Sequence, residues 1–216
     1  MCNGIGKFLV VLVFGWTGIA NAGQILDIVR NGNNAICGSP GCSSAGTTIG
    51  WAFTVNSKIT VDGLGVWDFG GDGIGPEVSA GLWIDGGALL ASAVISSSST
   101  LEFSNSVGGW RYEDIVELVL EPGNYVLGST HYPNTPSANV NPQFTTIAGV
   151  TFTESRHDEF FSEGFVRPDN TFPIIGFGAN LRLADNGEIP SPATLPLLGL
   201  GLAALGFNRR KRYRPR

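Results

Sequence analysis

Turn-forming clusters punctuate this chain at intervals too short for helices to cross between parallel strands. Asp72-Gly73, Asp85-Gly86-Gly87, Glu121-Pro122-Gly123-Asn124 and Asp185-Asn186-Gly187 supply residues that accept positive φ or preset a turn. Between them the apolar residues recur with the two-residue period of half-buried strands. Trp51, Phe53 and Val55 alternate with Ala52, Thr54 and Asn56. Ile59 and Val61 open the next strand, and Leu64, Val66 and Trp67 carry it past a bulge at Gly63. Further strands are expected over Val78 to Ile84, Ala88 to Ile95, Ile115 to Leu120, Tyr125 to Thr130, Ile147 to Phe152 and Thr171 to Leu183. Such segments pair mostly antiparallel, so the expected fold class is all-β: an antiparallel two-sheet β-sandwich, jelly-roll-like. Its core would draw on Trp51, Phe53, Val66, Leu82, Leu89, Leu118, Leu120, Tyr125 and Leu127. Ser96 to Thr100 and His131 to Pro142 read as exposed loops.

The 216 residues suffice for one domain of this kind, and recurrent aromatic and β-branched runs argue against disorder despite 31 glycines. The formal charge of −5 conceals an asymmetry. Lys7 and the six basic residues after Asn208 make up seven of the 13 cationic side chains. Without them, six basic residues face all 18 acidic ones, a balance of −12. Such a product repels nucleic acid and anionic lipid, and gains solubility or an attraction for divalent cations.

Residues 1–22 have the layout of a secretory signal peptide: Lys7 at the positive end, an apolar stretch from Phe8 to Ala20, and a small-x-small site at Ala20-Asn21-Ala22 with cleavage before Gly23. At the other end Ile189-Pro190-Ser191-Pro192 leads into a Gly- and Leu-rich apolar run to Phe207, followed by Arg209-Arg210-Lys211-Arg212. As a helix, Ile189 to Phe207 would be about 28 Å long, barely the hydrocarbon thickness of a bilayer. The basic residues would stay on the cytoplasmic side, placing the body outside. The expected organisation is therefore a signal helix over 1–22, a β-domain over 23–188 and a hydrophobic helix with a basic tail within 189–216.

This terminus resembles that of the PEP-CTERM family, whose members end in a Pro-Glu-Pro motif, a glycine- and leucine-rich helix and an arginine cluster. Pro190 and Pro192 match the two prolines, and Ser191 stands where the family has Glu. The resemblance implies a Gram-negative host in which signal peptidase removes the leader. A membrane-embedded exosortase would then process the tail, with a transient inner-membrane intermediate and delivery to the cell surface or exopolysaccharide matrix. The central run is also similar to a β-domain of unknown function in exported bacterial proteins. The pieces that carry this are Trp51-Ala52-Phe53-Thr54-Val55, Gly70-Gly71-Asp72-Gly73, Gly81-Leu82-Trp83, Leu89-Leu90-Ala91-Ser92-Ala93 and Pro122-Gly123-Asn124-Tyr125-Val126. That likeness concerns the fold and brings no activity with it.

Cys37 and Cys42 remain after leader removal. In an oxidising compartment a disulfide across Gly38-Ser39-Pro40-Gly41 is the natural reading, since two thiols without a histidine pair make a poor zinc site. Asp68 and Asp72 occupy the first and fifth positions of a calcium-type loop with Gly73 at the sixth, and Glu77 could add a carboxylate. The third and twelfth ligands are missing, so a plain Asp-Gly turn competes with a Ca²⁺ site, and no other cofactor is indicated. His157-Asp158-Glu159 could seed a hydrolase cluster, but neighbours on a strand face opposite ways and no nucleophile motif accompanies them. Trp67, Trp83, Trp110, Tyr112 and Tyr132 could stack on sugars, or simply pack. The expectation is a non-enzymatic structural or adhesive matrix protein. A carbohydrate-binding module is the alternative, and a secreted hydrolase a more distant one.

Overall fold

The structure, a computed structural model, describes residues 23–30, 33–34, 46–105, 108–132, 139–158 and 164–184. Among them there is no helix, and fifteen strands follow one another. The first two are short: β1 (Leu26–Arg30) and β2 (Asn33–Asn34). The main body runs through β3 (Thr47–Val55), β4 (Ile59–Phe69), β5 (Val78–Ile84), β6 (Leu89–Ile95), β7 (Thr100–Asn105), β8 (Gly108–Leu120) and β9 (Gly123–His131). It closes with β10 (Asn139–Val140), β11 (Gln143–Thr146), β12 (Val150–His157), β13 (Asn170–Phe172), β14 (Gly176–Phe177) and β15 (Ala179–Leu183).

Every pairing is antiparallel, as the short turns require. A six-stranded sheet runs β13-β12-β3-β9-β5-β6, a four-stranded sheet runs β15-β4-β8-β7, and two small sheets join β1 to β11 and β14-β10-β2. Side chains from both large sheets enter one core. Trp51, Phe53, Val55, Leu82 and Leu127 come from the first, and Val61, Leu64, Val66, Tyr112 and Leu181 from the second. Trp51 anchors it: its indole N–H donates to the Ala179 carbonyl at 2.8 Å, and its ring meets Phe177 edge-on at 5.5 Å.

β3 is central and buried on both faces, with large residues on one side and Gly50 and Ala52 on the other. Gly50 lies opposite Gly128, and Gly128 opposite Gly81, so a row of glycines crosses three strands. The segment 164–169 fills this trough. A Cβ on Gly81 would sit 2.5 Å from the Phe165 ring, and one on Gly128 3.0 Å from the Pro168 ring. The glycine row on the outer face of the sheet is thus covered at Gly81 and Gly128 by a close-fitting strap.

Several expectations shift. Leu89 is 46% exposed instead of core, because a slip of register between Leu82 and Trp83 of β5 sets it opposite Trp83 on the outer face, while Ala91 stands opposite the core residue Leu82. Leu118 is only half-buried. The strand expected over Ile115 to Leu120 is the end of β8, which begins at Gly108. Ile147 to Phe152 is displaced to β12 because Gly149, at φ +88°, makes the preceding turn. Thr171 to Leu183 divides into β13, β14 and β15, with Pro173 following the first. His131 closes β9 and is buried, residues 139–140 form β10, and Pro142 is buried, so that stretch is not one exposed loop. Ser99 is likewise buried, its hydroxyl accepting the Ser96 N–H at 2.9 Å. The bulge near Gly63 is present: residues 115–117 of β8 stand opposite Asp62 alone, which throws Val116 outward to 91% exposure.

The expected signal helix and hydrophobic terminal helix fall outside the described residues. Among those described, no helix is long and apolar enough to cross a membrane.

Candidate functional site

Asp68 lies one residue before the end of β4, where the chain enters a loop with Gly70, Gly71, Gly73 and Gly75 all at positive φ. Its Oδ2 accepts from Arg111 Nε at 2.7 Å and from the Gly73 N–H at 3.1 Å. Arg111 stands opposite Val66 on β8, so its side chain shares a face with Asp68, two residues further along β4. Its remaining donors reach the carbonyls of Ser97 (2.8 Å), Ser99 (3.1 Å) and Gly71 (3.4 Å). Ser97 Oγ accepts the Ile74 N–H at 3.2 Å. One buried guanidinium thereby ties the glycine loop to the serine turn after β6. Sequence reading singled out Asp68 but missed Arg111, which lies 43 residues away and is brought in only by strand register.

The positive charge beside Asp68 is therefore an arginine of the chain itself. Asp72 and Glu77 are exposed, and among the described residues no three His, Cys, Asp or Glu side chains gather as a metal set would require. The contacts of Arg111 join the loop after β4 to the turn after β6.

The histidines are apart. His131 is fully buried near the backbone of Gly178, and burial lowers its pKa to about 4, so it is neutral at pH 7. His157 is half-buried with its ring 5.4 Å from Phe172. Asp158 is buried: its Oδ2 accepts the Thr48 N–H at 3.0 Å while its own N–H donates to the Thr48 carbonyl at 3.0 Å. This carboxylate pins the end of β12 to the start of β3. Glu159 lies outside the described residues.

Four of the five candidate stacking rings are buried, Trp83 of them on the outer face of the six-stranded sheet with Phe165 at 5.2 Å. Trp67, Trp83, Trp110 and Tyr112 are buried and Tyr132 is half-buried. Trp67 and Trp110, paired across β4 and β8, meet edge-on at 5.2 Å. Tyr112 lies over Gly65 and beneath Arg182, whose guanidinium carbon is 5.7 Å from the ring centroid. Burial raises the Tyr112 pKa well above its ordinary value. Arg182 also pairs with Asp62 at 2.8 Å and Asp114 at 2.5 Å.

Of the targeting residues, Gly23 alone is described: its carbonyl accepts the Leu183 N–H at 2.6 Å. Ala20, Ala22, Cys37, Cys42, Pro190, Ser191, Pro192, Arg209, Arg210, Lys211 and Arg212 lie outside the described residues.

No curated protein matches the chain. The PEP-CTERM protein-sorting motif matches residues 188–212, the segment containing the two prolines, the apolar run and the basic cluster. A contiguous match in that order at this end of the chain is what the membrane-embedded sorting reading requires. The chain carries the terminal signal of an exosortase-sorted exported protein, processed at the membrane on its way to the cell surface.

Proposed function

We propose that this is a non-enzymatic protein of the outer surface or extracellular polymer of a Gram-negative bacterium. Its β-domain, read as a two-sheet sandwich, would serve as a structural or adhesive component after exosortase processing. The sorting motif over residues 188–212 carries this reading, because it directs the chain to the surface whatever the domain binds. The domain's polar investments support a scaffold: Asp68, Arg111 and Asp158 are spent on holding loops and strand ends. A sugar platform has less support, since four of its five nominated rings are buried.

The test is localisation in the native host with and without its exosortase, with both mature termini recorded by mass spectrometry. The reading expects a surface or matrix product lacking the basic cluster at Arg209 to Arg212, and retention of the intact tail in the inner membrane when the exosortase is absent. An intact tail on the product of exosortase-positive cells defeats it.

A further inference from the structure

The residues that would follow the leader cut are locked into the fold from the first one onward. The Gly23 carbonyl accepts the Leu183 N–H at 2.6 Å, Gln24 forms an antiparallel bridge with Arg182, and the Ile25 N–H donates to the Leu181 carbonyl at 3.0 Å. Residues 23–25 thus run along the edge of β15 that faces away from β4. Ile25 is held further: its carbonyl accepts the Ile147 N–H at 3.1 Å, and its side chain, like that of Leu26, is fully buried. A peptidase takes the residues flanking its scissile bond as an extended strand, through their main-chain groups. For a cut before Gly23, the enzyme and β15 compete for the same backbone.

We propose that the pairing of residues 23–25 with β15 is a latch on leader removal: the Ala22–Gly23 bond is cut only while this strand stands off β15. The inference rests on the leader reading of residues 1–22. In the cut, water adds across the peptide bond, its oxygen going to the Ala22 carbonyl carbon and its protons to the Gly23 nitrogen, which leaves as an α-ammonium. A folded chain presents such a bond only from a locally opened state. β15 is the last strand in the sequence, so the junction has no partner until residues 179–183 have followed it across the membrane. The other end carries no such latch. Ala184, the last described residue, donates its N–H to the Thr60 carbonyl at 3.0 Å, and Pro190 lies six residues beyond it, about 20 Å of extended chain. Tail processing can therefore follow closure of the sheets, whereas leader removal must precede it or wait for the corner to open.

The test is digestion of the folded full-length precursor in detergent by purified signal peptidase, with products read by intact mass. Inserting Gly-Ser-Gly-Ser-Gly-Ser after Gly23 keeps Ala20 to Gly23 intact and carries the junction away from β15; this precursor should be cut about tenfold faster or more than the unaltered one. Leu183→Pro removes the N–H that Gly23 accepts, at a site remote in sequence from the cut, and should also speed it. If melting shows that Leu183→Pro does not fold, the insertion decides alone. Equal rates for the unaltered and inserted precursors would overturn the latch while leaving the leader reading in place. No cut before Gly23 in the inserted precursor would overturn both.

Discussion

Arg111 is the side chain whose loss should be felt most for its size. Arg111→Ala leaves the Asp68 carboxylate buried beside an empty space and removes donors from three carbonyls, which should cost about 3–5 kcal/mol. Urea unfolding measures this, and an apolar replacement of both partners together, Asp68→Val with Arg111→Met, should recover much of it. His131 makes the domain acid-sensitive. Its folded pKa of about 4 lies below its ordinary 6.5, so the unfolded chain binds more protons between those values. Stability is full above pH 6.5 and falls as pH drops toward 4, by about 2 kcal/mol at pH 5. In His131→Gln the loss between pH 7.5 and pH 5 should shrink by that amount. Neither residue's part was legible in sequence. Asp68 was visible because Asp-Gly turns are local, whereas Arg111 is a lone arginine until register brings it alongside. His131 ends β9 just ahead of a stretch rich in Asn, Pro and Ser, and local composition concealed its burial.

At the scale of elements, alternation identified the strands and their apolar faces but not their depth in the sheet. Trp51, Phe53 and Val55 are core as their period implies, and Val78 to Ile84 is a strand with the expected bounds. The same alternation nominated Leu89, because a two-residue period does not show the slip of register against β5 that turns it to the outer face. The start of β8 was hidden by Gly108 and Gly109, residues that ordinarily weaken a strand; Gly108 is needed because a Cβ there would lie 2.7 Å from the Trp67 ring. The glycine row explains another departure from propensity. Gly128→Ala would bring its new methyl 2.8 Å from Thr48 and 3.0 Å from Pro168, and should destabilise by about 1–3 kcal/mol in thermal or urea melts. Phe165→Ala, which vacates space over Gly81 and not over Gly128, should not relieve it.

For the whole molecule, the targeting terminus was legible because a membrane enzyme reads it as one contiguous segment, whereas strand order depends on contacts between distant parts of the chain. β3 takes β9 and β12 as neighbours and β4 takes β15, pairings no local pattern announces. Changing Ser191 to Glu restores the family's motif and should raise the tail-less fraction in an exosortase-bearing host. Pro190→Ala with Pro192→Ala should leave most of the product with its tail, both read by intact mass. The pairing of Gly23 with Leu183 has a mechanical corollary. The domain's entry and exit strands leave from one corner, so a polypeptide gripped at both ends by the same lipid surface could close its sheets without releasing either grip, hanging from that corner like a pendant until it is cut free.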